Sequence, residues 1–247
     1  MILRRITEHV RTQNWFAVGL DFLVVVVGIL IAFQITSWNE ARQDRRAEQR
    51  YLAELAVNLE ADIVQAKLGQ GASLDRLALS EAILQELLPE HERAGFFVEI
   101  DRQLTFEEGA FAQYPYGGLT ASFYLVSADS TFQELIQTGN IGVFSNRALV
   151  TDLTAYYGRL NRQRGDDGLL LTQAEAMMAY LRENGLGMSD RASLEEVIAL
   201  AEADTAFLGF VKSAAFLGHW QYSRLVRVEA DAQALLAAVQ AEIKGRP

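Results

Sequence analysis

Residues Phe16 to Trp38 read FAVGLDFLVVVVGILIAFQITSW, a stretch that constrains the fold before anything else does. As a helix rising 1.5 Å per residue it is about 34 Å long, enough for a hydrocarbon core of about 30 Å. Fourteen of the 23 residues are Val, Ile, Leu or Phe. At roughly -0.3 to -0.6 kcal/mol each, they favour insertion into a bilayer by about 4–8 kcal/mol. Asp21 opposes this by at most ~3 kcal/mol and lies within two turns of the end. The balance predicts a transmembrane helix rather than a buried core helix. Trp15 and Trp38 bracket it as interfacial aromatics do, with Asn39 and Glu40 following at the exit. No small-x-small cleavage pattern precedes WNEARQDRR, so the segment reads as an uncleaved anchor.

Orientation follows from the flanks. Arg4, Arg5 and Arg11 precede the span, while Arg42, Arg45, Arg46 and Arg50 follow it, a near tie by basic count. Long C-terminal domains translocate largely regardless of charge, whereas a short basic N-tail resists export. The expected arrangement is a cytoplasmic N-terminal tail (1–14), a membrane helix (15–38) and a periplasmic domain (39–247). Within the span, Asp21, Val25, Gly28, Ala32 and Ile35 share one helical stripe. Gly28 and Ala32 form a small-x-x-x-small pair that admits a second helix, either a partner's or another copy's. Gln34 lies on the opposite side.

The remaining chain predicts an all-α fold: an antiparallel helical bundle continuing from the membrane helix. Only three prolines occur, so long helices are possible. Leu52, Leu55, Leu59, Ile63 and Ala66 recur at helical spacing as a core stripe, with Glu48, Arg50, Glu54 and Asp62 assigned to the polar face. The helix that leaves the membrane is expected to run to about residue 68 and break at Gly69-Gln70-Gly71. A second helix carries Leu74, Leu77, Ile83, Leu84 and Leu87 and stops before Pro89. A short helix over 96–108 and an aromatic loop with Phe111, Tyr114, Tyr116, Phe123 and Tyr124 come next. Thr131 and Glu134 form a capping box for a helix that Gly139 ends. Ser145 caps a helix to about Asn161, GDDG at 165–168 makes a turn, and another helix runs from 168 to 184. Ser193 and Glu196 form a second capping box. The last helix, Asp204 to Ile243, carries Phe207, Val211, Ala214, Gly218, Leu225, Val228, Leu235 and Val239 near heptad spacing. It is expected to return antiparallel to the first.

Two stretches carry a resemblance. GILIAFQITSWNEARQDRRAEQRYLAEL (Gly28 to Leu55) and STFQELIQTGNIGVFSNRALVTDLTAYYGRL (Ser130 to Leu160) resemble an uncharacterised family of bacterial single-span inner-membrane proteins. The first holds a Gln-x-x-x-Trp-Asn-Glu membrane-exit motif (Gln34, Trp38, Asn39, Glu40). The second holds a Glu-Leu segment leading to Gly-Asn and a helix ending in Tyr156-Tyr157. The resemblance implies architecture and carries no activity with it.

The chemistry-bearing residues are sparse. The chain has no Cys, which excludes disulfides, thiolate metal sites and Cys nucleophiles. His9, His91 and His219 stand far apart, without metal-ligand spacing, and no nucleophile elbow, P-loop or dinucleotide fingerprint occurs. GDDG lacks the spaced oxygens of a calcium loop. The net charge of -10 argues against a nucleic-acid partner. The most interesting polar constellation is Glu134, Asn140, Tyr156 and Tyr157, a candidate pocket wall together with the aromatics of 111–124. Its structural alternative is a helix cap, a turn and core tyrosines. The expectation is a non-enzymatic, single-pass protein with no cofactor or metal. It sits in the lipid bilayer and serves a membrane assembly through protein partners or self-association. The alternative is a periplasmic small-ligand sensor that signals through a partner.

Overall fold

A computed structural model of the chain describes residues 15–89 and 111–245, apart from the side chains of 15–18 and 166. The expected short helix over 96–108, His9, His91 and the N-terminal arginines lie outside the described residues. The fold is all-α. Helix α1 (Trp15–Leu87) is followed by α2 (Pro115–Thr120), α3 (Ser130–Thr138), a 3-10 turn (Asn140–Val143), α4 (Arg147–Glu183), α5 (Leu194–Ala203) and α6 (Thr205–Lys244). The chain divides into two compact units, Met1–Arg50 and Tyr51–Pro247.

In the first unit the described residues are all helical. The helix is long and apolar enough to cross a membrane, with an 18-residue window of mean hydropathy 2.3 that is not buried at all. Phe22, Val24 and Phe33 are each more than 60 % exposed. Such a run of exposed large apolar side chains has no stable place in water. Thr36 turns its hydroxyl inward, donating to the Ala32 carbonyl at 3.0 Å, so its one polar group is satisfied within the helix.

In the second unit, three long helical stretches pack side by side. Numbers rise along α1 as they fall along α6: Lys67 and Gln70 reach Glu229, Ser73 meets Gln221, and Leu77 lies against Gly218. The two are antiparallel, as the sequence leads one to expect. Helix α4 also opposes α6, through Asn146 with Glu242, Arg159 with Asp231 and Asp167 with Arg224. Leu52, Leu55, Leu59 and Ala66 are fully buried, so the predicted core stripe holds except at half-buried Ile63. A second apolar cluster joins Leu77, Leu79, Ile83 and Leu84 to Tyr116, Met177, Val197, Phe207 and Val211.

Several local expectations need correction. The helix does not break at Gly69-Gln70-Gly71 but continues to Leu87. Gly69 serves close packing: a Cβ there would lie 2.6 Å from Phe123 Cε1 and 2.7 Å from Leu225 Cδ1. A glycine inside a helix costs only about 1 kcal/mol relative to Ala, which tertiary packing readily offsets. GDDG is likewise no turn, because α4 runs through it and Asp167 is fixed by Arg224 at 2.7 Å. Helix α3 starts one residue before Thr131, so the first predicted capping box does not form. Thr131 is buried inside the helix, and Glu134 is drawn to Tyr51. The cap of α4 is Asn146, whose Oδ1 accepts from the Leu149 amide at 3.1 Å, rather than Ser145. The Ser193–Glu196 capping box forms with both reciprocal bonds, and Gly139 ends α3 at φ 74°. Asp204 caps α6 by accepting from the Ala206 amide at 2.7 Å.

The two glycines of the expected break predict opposite outcomes. Gly71→Ala meets nothing within 4 Å and should stabilise the unit by up to about 1 kcal/mol through helix propensity. Gly69→Ala must displace Phe123 and Leu225, so it should destabilise by about 1–2 kcal/mol in urea unfolding, despite the same propensity gain.

Candidate functional site

Between α2 and α3 the chain runs without helix or strand from 121 to 129, tied to Arg76 and Asp62 of α1. An irregular segment on a helical surface makes no helix or sheet ladder, so its buried backbone groups need side-chain partners. Three buried polar residues supply them. Arg76 donates from Nη1 to the Ala121 carbonyl at 2.9 Å, and Gln221 donates from Nε2 to the Phe123 carbonyl. Asp62 accepts the Ala128 amide at 2.7 Å on Oδ1. Its Oδ2 accepts from Ser127 Oγ at 3.1 Å and Tyr156 Oη at 2.9 Å.

These residues are also tied to one another and to the helices. Arg76 Nη2 donates to Gln221 Oε1 at 2.7 Å, and Ser73 Oγ, which donates to the Gly69 carbonyl, lies 3.2 Å from the same oxygen. Asp62, Arg76 and Gln221 are 0 %, 2 % and 1 % exposed. Burial pushes the Asp62 carboxyl above the usual carboxylate range, although its three hydrogen bonds oppose the shift. Burial pushes the Arg76 guanidinium down to about 10, so it stays charged near neutral pH. The Tyr156 and Tyr157 phenols are raised well above their ordinary value, first by burial and then by the Asp62 carboxylate.

The predicted pocket wall is two separate sets of contacts. Glu134 and Asn140 meet on one phenol: Tyr51 Oη donates to Glu134 Oε1 at 3.0 Å and accepts from Asn140 Nδ2 at 3.1 Å. Tyr156 and Tyr157 are 2 % and 3 % exposed, the first bound to Asp62 and the second stacked on Phe132 at 4.7 Å. The aromatics of the preceding loop are scattered rather than gathered there. Phe111 and Tyr116 belong to the other apolar cluster, Phe123 covers Gly69, and Tyr124 is exposed. Glu48 and Asp62, placed on the polar face from the sequence, are buried instead. No group of three His, Asp or Glu side chains suited to a metal ion occurs among the described residues.

Asp21, Val25, Gly28 and Ala32 are exposed along the apolar helix, and a Cβ on Gly28 would meet nothing within 4 Å. Trp38 is 60 % exposed with the Arg42 guanidinium over its ring at 5.4 Å, and Asn39 and Glu40 are exposed beside it. The side chain of Trp15 lies outside the described ones. A further stripe stands out in the second unit. Val57, Ala61, Val64 and Leu68 are exposed on α1 at spacings of four, three and four, with Val57, Val64 and Leu68 all more than half exposed. That is the spacing of a coiled-coil seam, on the side of the helix turned away from Leu55, Leu59 and Ala66.

The model of a family of unknown function, DUF6090, matches residues 21–163, more than half of the chain. The chain belongs to that family. The DUF6090 match takes in most of the apolar helix, the exposed stripe, the 121–129 segment, Asp62, Arg76 and Tyr156, while Gln221 falls beyond it. The two stretches that carried the resemblance, Gly28 to Leu55 and Ser130 to Leu160, both lie inside the matched range. No curated protein and no solved structure matches the chain.

Proposed function

We propose that this DUF6090 protein is a non-enzymatic, single-pass protein of the bacterial inner membrane. Its N-terminus is cytoplasmic, and its periplasmic helical domain acts as an interaction module of a membrane assembly. The observation that carries the reading is the exposed stripe Val57, Ala61, Val64 and Leu68. Scattered surface apolars are ordinary, but four at seam spacing on one helix form a face suited to a second helix. The Asp21, Val25, Gly28, Ala32 stripe supports the same reading for the bilayer, where small residues let helices approach.

The small-ligand sensor draws less support. Glu134, Asn140 and Tyr156 spend their contacts on side chains of α1, and Tyr157 stacks on Phe132 of α3. The clefts beside Arg76 and beside Arg224 have depth for a water-sized body rather than a metabolite. Single-cysteine cross-linking in native membranes tests the interaction reading, and the absence of native Cys makes it clean. Adducts from the stripe positions, to another copy or another protein, are expected. A chain that stays monomeric and uncrosslinked at all of them contradicts the proposal.

A further inference from the structure

We infer that the cleft beside Arg76 binds one small monovalent anion of the halide class, chloride being the natural candidate. Arg76 is 2 % exposed, yet its guanidinium donates only to neutral acceptors: the Ala121 carbonyl, Ser122 Oγ and Gln221 Oε1. Among the described residues it makes no ion pair with a carboxylate, and its Nε–H has no hydrogen-bond partner. A buried cation without counter-charge is costly, and so is an unpaired buried donor. One bound anion relieves both.

The surroundings set the ligand's class. Arg76 lines a cleft shared by α1, α2, α4 and α6, with Thr120, Ser122 and Gln173 as polar edges and Met177 and Phe210 among its apolar walls. The Thr120 and Ser122 hydroxyls are spent on the Tyr116, Gly117 and Thr120 carbonyls, so the Arg76 Nε–H and the Gln173 amide are the donors left to an anion, and the apolar walls limit bulk water. The enclosed space admits a body about the size of one water molecule, which favours a monatomic anion over phosphate, sulfate and dicarboxylates. This site is independent of the apolar stripes and stands or falls separately from the interaction reading.

The test is thermal unfolding of the full chain in detergent, in sodium chloride and in sodium gluconate of equal ionic strength. Chloride should raise Tm by about 2–4 °C over gluconate at saturating concentration. Arg76→Gln should abolish that difference whatever its own Tm. Equal Tm in both salts overturns the site, as does a chloride effect that Arg76→Gln retains. If that variant does not fold, crystals of the unmodified chain grown in bromide decide. An anomalous peak in contact with Arg76 Nε supports the site, and density there without anomalous signal overturns it.

Discussion

Replacing Asp62 by Ala is expected to destabilise the helical unit by about 3–5 kcal/mol, one of the two largest effects predicted for this chain. The change orphans three donors at once, the Ala128 amide, Ser127 Oγ and Tyr156 Oη, in a site with no solvent exposure. It also leaves a void beneath the 121–129 segment. Asp62→Asn should cost much less, because its oxygen still accepts the Ala128 amide and its amide group can donate to Ser127 or Tyr156. The two variants separate charge from hydrogen bonding. The folded-state pKa of Asp62 lies above its ordinary value of 3.8. Its contribution to stability is therefore fully present below that ordinary value and is lost as pH rises through the folded value. Wild type should lose stability relative to Asp62→Asn over that interval. Urea unfolding of both proteins from pH 4 to 7 reads the difference, and a wild-type advantage over Asp62→Asn that grows as pH rises would contradict the assignment.

Two lysines in the apolar helix, Val26→Lys with Leu30→Lys, should abolish stable membrane association. Each adds roughly 2.5–3.5 kcal/mol and forfeits about 0.5 kcal/mol of favourable transfer on the insertion scale. Together they cancel the ~4–8 kcal/mol that the apolar residues supply. The readout is resistance to alkaline carbonate extraction, with Val26→Leu and Leu30→Val as the volume-preserving control. Retention of the double lysine variant in the membrane pellet would show that something other than this helix holds the protein there.

The apolar helix was legible because its signal is a sum over many residues, to which no single position is critical. The long final helix was legible for the same reason. The buried polar residues were harder to see, yet they leave a trace. In α6 the apolar positions 207, 211, 214, 218, 225, 228, 235 and 239 skip two beats of the 3–4 rhythm, at 221 and 232. Gln221 fills the first and is 1 % exposed, and Ala232 fills the second and is fully buried. In α1 the rhythm 52, 55, 59, 62, 66 runs through Asp62 rather than Ile63, which is the half-buried neighbour. A polar residue on the beat of a core stripe marks a buried tie, although its partner is invisible until the fold is known.

The helix boundaries were misread for a different reason. Gly69-Gln70-Gly71 and Gly165-Asp166-Asp167-Gly168 are breakers by local propensity. Contacts far away in sequence override them: Phe123 and Leu225 at the first, Arg224 at the second. The quartet Glu134, Asn140, Tyr156 and Tyr157 stood out in the sequence as a candidate pocket wall, with a helix cap, a turn and core tyrosines as its alternative. Proximity in the sequence suggested one pocket wall, but the structure hands Glu134 and Asn140 to Tyr51, Tyr156 to Asp62, and Tyr157 to the ring of Phe132.

The central claim is that the outward stripe of α1 is an interaction face. Its most direct test places single cysteines, one at a time, from Ala53 to Gly71 in the otherwise cysteine-free chain and cross-links them in native membranes. Adduct yield should peak at Val57, Ala61, Val64 and Leu68 and fall at Glu60 and Lys67, tracing a helical period. Yields that are uniformly absent, or that show no helical period along the scan, would contradict the claim.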